Sequence, residues 1–268
     1  MRAKVSIIDL FDHFLFDLDG CLYLRDRVIP AAPPTLAELR RRGKGVLFLT
    51  NDPRSPRAGY ASKLRGMGID AREDEILSCG WATAVYLQER HQPLEGKGVY
   101  VVGSEGLKAE MRSVGLRVVE TAEEARRADF VVVGGHSGFN YWEMMLACFA
   151  LQNGAHFYTT NRDATFPTPE GVVPATGAVL AGIEVASGRT AISIGKPEPG
   201  MIEAARTLLG PGRMIMVGDR LDSDIAGGKG AGIATALVLT GVTSREEAAR
   251  SEWAPDYILE DVGGLLTS

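Results

Sequence analysis

Seven short apolar runs, alternating with charged stretches of helical length, constrain this chain more than any other feature. They are Phe14–Phe16, Val46–Leu49, Val99–Val102, Phe130–Val133, Ile192–Ile194, Met214–Val217 and Ala236–Leu239. Runs this short, separated by amphipathic segments, read as buried parallel strands joined by crossover helices. The fold class is therefore α/β.

The intervening segments carry helix signals. Pro33-Pro34-Thr35 leads into LAELRRRG, with Gly43 placed to stop the helix. Thr121 has capping-box spacing to Glu124. Asn140 precedes YWEMMLACFALQNG, and Glu198-Pro199-Gly200 precedes MIEAARTLLG, which Gly210 ends. The middle of the chain has β-α-β units of its own, so residues 81–189 read as a second small α/β domain inserted between residues 1–80 and 190–268.

A length of 268 residues suits one large or two medium domains. The formal charge of -5 argues against a nucleic-acid partner, which wants a basic face. The N-terminus lacks a signal-peptide pattern, and no stretch reaches the ~18 apolar residues of a membrane helix. Cys21, Cys79 and Cys148 form no CxxC pair, so they read as packing residues and the cytoplasm is the expected home.

Four apolar runs end in residues with useful chemistry: Asp17-Leu18-Asp19-Gly20, Thr50-Asn51, Gly195-Lys196-Pro197 and Gly218-Asp219. In an open parallel sheet the strand C-termini share one edge, where ligands bind. Several carboxylates around one lysine would repel an anion, and a hard cation such as Mg²⁺ resolves that conflict. Asp17, at a strand end, suits a nucleophile that forms an aspartyl-phosphate. Asp19 lies on the same side if the chain stays extended, and suits the general acid and base. Thr50 and Asn51 offer donors to phosphoryl oxygens, and Lys196 supplies positive charge. Asp219 is the best side-chain metal ligand. Asp224 suits either a metal ligand or a partner that steers Lys196, with Asp222 competing for that place.

FLFDLDGCLY, VLFLTND, ISIGKPEPGMIEAA and MIMVGDRLDSDIAGGKGAGIATALVLTGVT together resemble the haloacid dehalogenase superfamily, in its phosphatase branch. The stretch GAHFYTTNRDATFPTPEGVVPATGAVLAGIEVASG resembles the end of the inserted cap of the NagD-like subclass IIA. The resemblance implies a Rossmann-like core with an inserted α/β cap that closes over the site and selects the substrate. It implies Mg²⁺, held by Asp17 and the backbone carbonyl of Asp19 among others, and its spacing favours Asp224 over Asp222. By analogy it also implies a homodimer paired through the cap. The expected activity is hydrolysis of a small phosphate ester such as a sugar phosphate, glycerol phosphate or nucleoside monophosphate. The same residues also permit a phosphotransferase or mutase, or a non-catalytic phosphoacceptor.

Two departures stand out. Asp52 follows Asn51 where the family commonly has a second Asn, and it is expected to point away from the phosphate. GGHSGFNY stands where an Asp commonly follows the Gly. His136 in that segment reads as a cap residue facing substrate or solvent, and Arg162 as a contact for an anionic or polar leaving group. Trp81, Trp142 and Phe149 read as cap core, Arg40-Arg41-Arg42 as a solvated helix face, and Gly227–Gly232 as helix and turn packing rather than a dinucleotide loop.

Overall fold

The computed structural model describes residues 6–168 and 171–267. The chain forms two compact units. The first comprises the described residues up to Thr50, then Arg57–Leu77 and Lys196 onward, and the second comprises Asn51–Pro56 and Ser78–Gly195. The chain therefore crosses between them at Thr50–Asn51, Pro56–Arg57, Leu77–Ser78 and Gly195–Lys196. Among the described residues no helix is long and apolar enough to cross a membrane.

The first unit is built on a six-stranded sheet in the order Tyr257–Leu259, Ala234–Val238, Met214–Gly218, His13–Asp17, Gly45–Thr50, Ile76–Ser78. Its central pairs are parallel, with Phe14 opposite Ile215 on one side and Val46 on the other. Phe14, Leu15 and Phe16 are wholly buried, which is why this strand reads as a continuous apolar run rather than an alternating one. The helix Ala32–Arg41 buries Leu36 and Leu39 against the same core. Gly43 lies beyond it at φ +67°, a left-handed conformation that costs glycine little.

The charge run on that helix does more than face solvent. Arg40 reaches the buried Glu75 through two 2.8 Å hydrogen bonds, while Arg41 and Arg42 pair with Glu38. Gly227 to Gly232 form a short helix and turn after Leu221–Ile225. A Cβ on Gly228 would lie 2.5 Å from Thr235 Cγ2, so glycine there permits close helix–strand packing.

The second unit has a parallel five-stranded sheet in the order Ile192–Ser193, His156–Thr159, Phe130–Val133, Gly98–Val102, Arg117–Val119. A hairpin, Thr165–Thr168 with Gly171–Pro174, accompanies it. The expected capping box of Thr121 with Glu124 forms, and the structure adds a second, Asn140 with Glu143.

Two expectations change here. The Ile192 run joins the edge of this second sheet, beside Tyr158 and Thr159, and not the sheet that holds Asp17. It is short, and Ile192 is 50% exposed, as an edge position allows. Trp142 is not core: it opens the helix Tyr141–Gln152 and is 57% exposed, because that helix buries Leu146, Ala147, Ala150 and Leu151 instead. Phe149 does pack against the unit's core, with the Arg126 guanidinium 3.8 Å from its ring centroid.

Candidate active site

The site begins with topology. From His13–Asp17 the chain steps to Gly45–Thr50 on one side, and from Met214–Gly218 to Ala234–Val238 on the other. The paired strands His13–Asp17 and Met214–Gly218 thus end at a switch point, where neighbouring connections diverge, the place where open parallel sheets bind ligands. Asp17 ends one strand and Asp219 follows the other.

Tight turns bring the carboxylates together. After Asp17 the chain turns at once, with the Leu18 carbonyl accepting from the Leu22 N–H at 2.9 Å. Gly20 follows at φ +90°, and a Cβ there would lie 2.5 Å from Asp219 Cγ. Thr240 Oγ1 donates to the Gly20 carbonyl at 2.6 Å. The Val242 N–H donates to Asp219 Oδ2 at 2.8 Å. Asp219 Oδ1 is buried and has no hydrogen-bond partner among the described residues. Asp224 lies in a π-helical turn, Leu221–Ile225, anchored by the Arg220 N–H at 3.1 Å.

Lys196 joins the group. It is 2% exposed, and its Nζ donates to Asp17 Oδ1 at 2.5 Å and to Asp224 Oδ1 at 2.6 Å. Asp222, by contrast, is exposed and pairs with Arg220 at 3.1 Å, so Asp224 is the one beside the lysine. Thr50 is buried at the end of its strand. Asp19 lies one residue past the bend at Leu18, half-buried and bridged to Tyr23, so the condition of a continuously extended chain ends at Asp17.

The electrostatics follow from burial. Loss of water pushes the Asp17 carboxyl well above the usual range; Lys196 opposes this, while Asp224 and Asp219 add to it. Asp219 is pushed up to about 7, first by burial and then by the Asp224 charge. Burial alone would lower the Lys196 ammonium, but Asp17 and Asp224 outweigh it and hold it above the usual lysine range. Three carboxylates thus share one ammonium, and oxygens from Asp17, Asp219 and Asp224 lie within 4.8 Å of one another. An all-oxygen set with one orphaned buried acceptor and excess negative charge fits a hard divalent cation.

Other predicted residues sit in the second unit. Asn51 donates its side-chain amide to both oxygens of Asp163, at 3.3 and 3.2 Å. The Asp52 carboxylate accepts from the Arg54 guanidinium at 2.7 and 2.8 Å. Arg162 is committed to Glu184 and the Ala191 carbonyl, each at 2.8 Å, which ties its fork into the second unit's own structure. His136 pairs with Glu143 at 3.1 Å, on the residue that completes the Asn140 capping box.

Thr240 and Val242 are additions of the structure. Thr240 carries the same signal as the others, a polar residue just past the apolar run Ala236–Leu239, whereas Val242 acts through its backbone N–H, which no side-chain pattern marks. Asn161 and Asp163 were also passed over as partners of Asn51, because nothing in their spacing tells which strand end they face.

Comparison with known proteins identifies the family. Residues 14–117 match a family described as haloacid dehalogenase-like hydrolase, and residues 193–265 match a HAD-hydrolase-like one. Chronophin of Rattus norvegicus is 36% identical over 265 residues, covering 94% of this chain and 86% of that one. An acid sugar phosphatase of Staphylococcus epidermidis is 33% identical, covering 94% and 95%. Among solved structures, the glycerol phosphate phosphatase of Mycobacterium tuberculosis in complex with magnesium superposes with TM-score 0.90 at 32% identity, covering 98% and 78%. A 4-nitrophenylphosphatase of Thermotoga maritima gives TM-score 0.90 at 33% identity, covering 98% and 99%. With the strand-end carboxylates, the buried lysine and these matches in agreement, the chain belongs to the haloacid dehalogenase superfamily, among its NagD-like phosphatases of subclass IIA.

Proposed function

We propose that this chain is a Mg²⁺-dependent phosphatase of a small phosphorylated metabolite, working through an aspartyl-phosphate on Asp17. The observation that carries the reading is Lys196, which bonds Asp17 and Asp224 inside a trio of carboxylates. The relatives named for acid sugar, glycerol and nitrophenyl phosphates support a small ester as substrate.

A carboxylate oxygen of Asp17 attacks phosphorus as the bond to the leaving oxygen breaks, and Asp19 gives that oxygen its proton. Asp19 then takes a proton from water, whose oxygen attacks phosphorus. The bond between phosphorus and the Asp17 oxygen breaks, returning the carboxylate and releasing inorganic phosphate. Lys196 aims Asp17 and offsets charge on the phosphoryl oxygens, and Thr50 and the Asn51 backbone supply donors to them. Asp17, Asp219, Asp224 and the Asp19 carbonyl would hold the cation, which supplies charge neutralisation for the bound phosphoryl group.

The second unit takes the part of the inserted cap that selects the substrate, and copies of the chain pair through it. The same reading sets the enzyme in the cytoplasm, a reducing setting that three free cysteines suit. The test is phosphate release from a panel of phosphorylated metabolites, with Mg²⁺ and with EDTA, beside Asp17→Asn. Release that needs the metal and vanishes in the variant supports the reading. Passage of the phosphoryl group to a second alcohol, or a stable phosphoprotein without turnover, overturns it.

A further inference from the structure

Two crossings of the chain carry the proposed machinery: Thr50 is bonded to Asn51, and Gly195 to Lys196. Within the second unit, one short stretch, Thr160 to Asp163, holds both. The Thr160 carbonyl accepts from the Gly195 N–H at 2.8 Å. Asn161, 1% exposed, donates its amide to the Asn51 carbonyl at 2.6 Å. Asp163 takes the Asn51 side-chain amide on its carboxylate, and its own N–H donates to Asn161 Oδ1 at 3.0 Å.

The result is an Asn51 held by both its main-chain carbonyl and its side-chain amide. Its Nδ2 meets an acceptor-only carboxylate, and glycine at 195 leaves room for its Oδ1, which a Cβ there would crowd to 2.7 Å. A flipped amide would set oxygen against oxygen, so Asp163 permits one orientation. Gly195 has room for no side chain, since a Cβ would collide with the Thr160 carbonyl. Loop packing alone does not need a carboxylate aimed at one side-chain amide, and phosphoryl transfer depends almost wholly on such placement.

We propose that Asn161 and Asp163 are positioning residues, which fix Asn51 and, through the adjoining peptide bonds, the Thr50 and Lys196 that act on the phosphoryl group. This rests on the phosphatase reading above.

The test uses the full chain with Mg²⁺ and 4-nitrophenyl phosphate, comparing wild type with Asp163→Asn and Asp163→Ala. The alanine variant is expected to lose about a hundredfold in kcat with KM little changed, the scale of a misplaced reacting group. The asparagine variant keeps an acceptor for Asn51 and is expected to stay within about tenfold of wild type. Thermal melts normalise each rate to folded protein; if the alanine variant does not fold, Asp163→Ser, whose hydroxyl is too short to reach, replaces it with the same expected loss. Wild-type turnover with unchanged kcat in every folded variant overturns this inference alone. A wild-type chain that releases phosphate from no ester overturns both this and the phosphatase reading.

Discussion

Lys196 and Asp17 meet across 2.5 Å with the lysine 2% exposed, so the putting together of sheet and loop depends on a buried charge pair. Removing the ammonium leaves Asp17 and Asp224 facing each other out of water. Lys196→Met is expected to lose all measurable turnover and, without added metal, about 3–5 kcal/mol of stability, the scale for breaking a buried pair from one side. Urea unfolding in EDTA beside a phosphate-release assay checks both.

Asp219 contributes to the response to pH. Its carboxyl is pushed up to about 7 in the folded, metal-free protein, against an ordinary value of 3.8. Between those values the folded state binds more protons than the unfolded one, so metal-free stability falls as pH rises. A cation held by these oxygens, as proposed above, would favour their ionised form. The gain in melting temperature from added Mg²⁺ is therefore expected to be larger at pH 8 than at pH 5.5, as differential scanning calorimetry would read. An equal gain at both would contradict this.

Asp219→Asn is expected to separate stability from turnover. It removes a buried carboxylate whose Oδ1 lacks a partner, and it keeps an oxygen for the Val242 N–H. The variant is expected to melt higher than wild type in EDTA, gain little from Mg²⁺ and turn over at least about a hundredfold more slowly, a trade of the kind seen at strained sites. A variant with normal Mg²⁺-dependent turnover would remove Asp219 from the metal set.

Arg40→Ala serves as the opposite case. Glu75 is 5% exposed and accepts two hydrogen bonds from Arg40, with the Arg72 N–H holding one of its oxygens at 2.8 Å. The loss is expected to be about 1–3 kcal/mol in chemical unfolding, the cost of a buried acceptor left short of donors, with kcat unchanged.

Much of the candidate cluster's placement is legible in the sequence. Asp17, Thr50 and Asp219 each follow an apolar run, and strand ends in a parallel sheet gather on one edge. Lys196 was found by the same rule for a partly mistaken reason, since its run belongs to the second sheet. A three-residue apolar run reveals a strand but not which sheet it joins, because pairing is decided by distant residues. The exposed Trp142 escaped for a similar cause: a helix as apolar as Tyr141–Gln152 does not show from composition which face it buries. Arg40 looked like one of three surface arginines because its partner, Glu75, lies 35 residues away. The crossing of the chain at Thr50–Asn51 was invisible, since no change in composition marks it.

The central claim is that Asp17 becomes phosphorylated during turnover. The most direct test is acid quenching of a single turnover with a labelled phosphate ester and Mg²⁺, followed by peptide mass spectrometry. The expected result is a phosphorylated peptide spanning Asp17 that forms before phosphate release, decays with it, and is missing in Asp17→Asn. Phosphate release with no label on that peptide, together with full activity in Asp17→Asn, would contradict it.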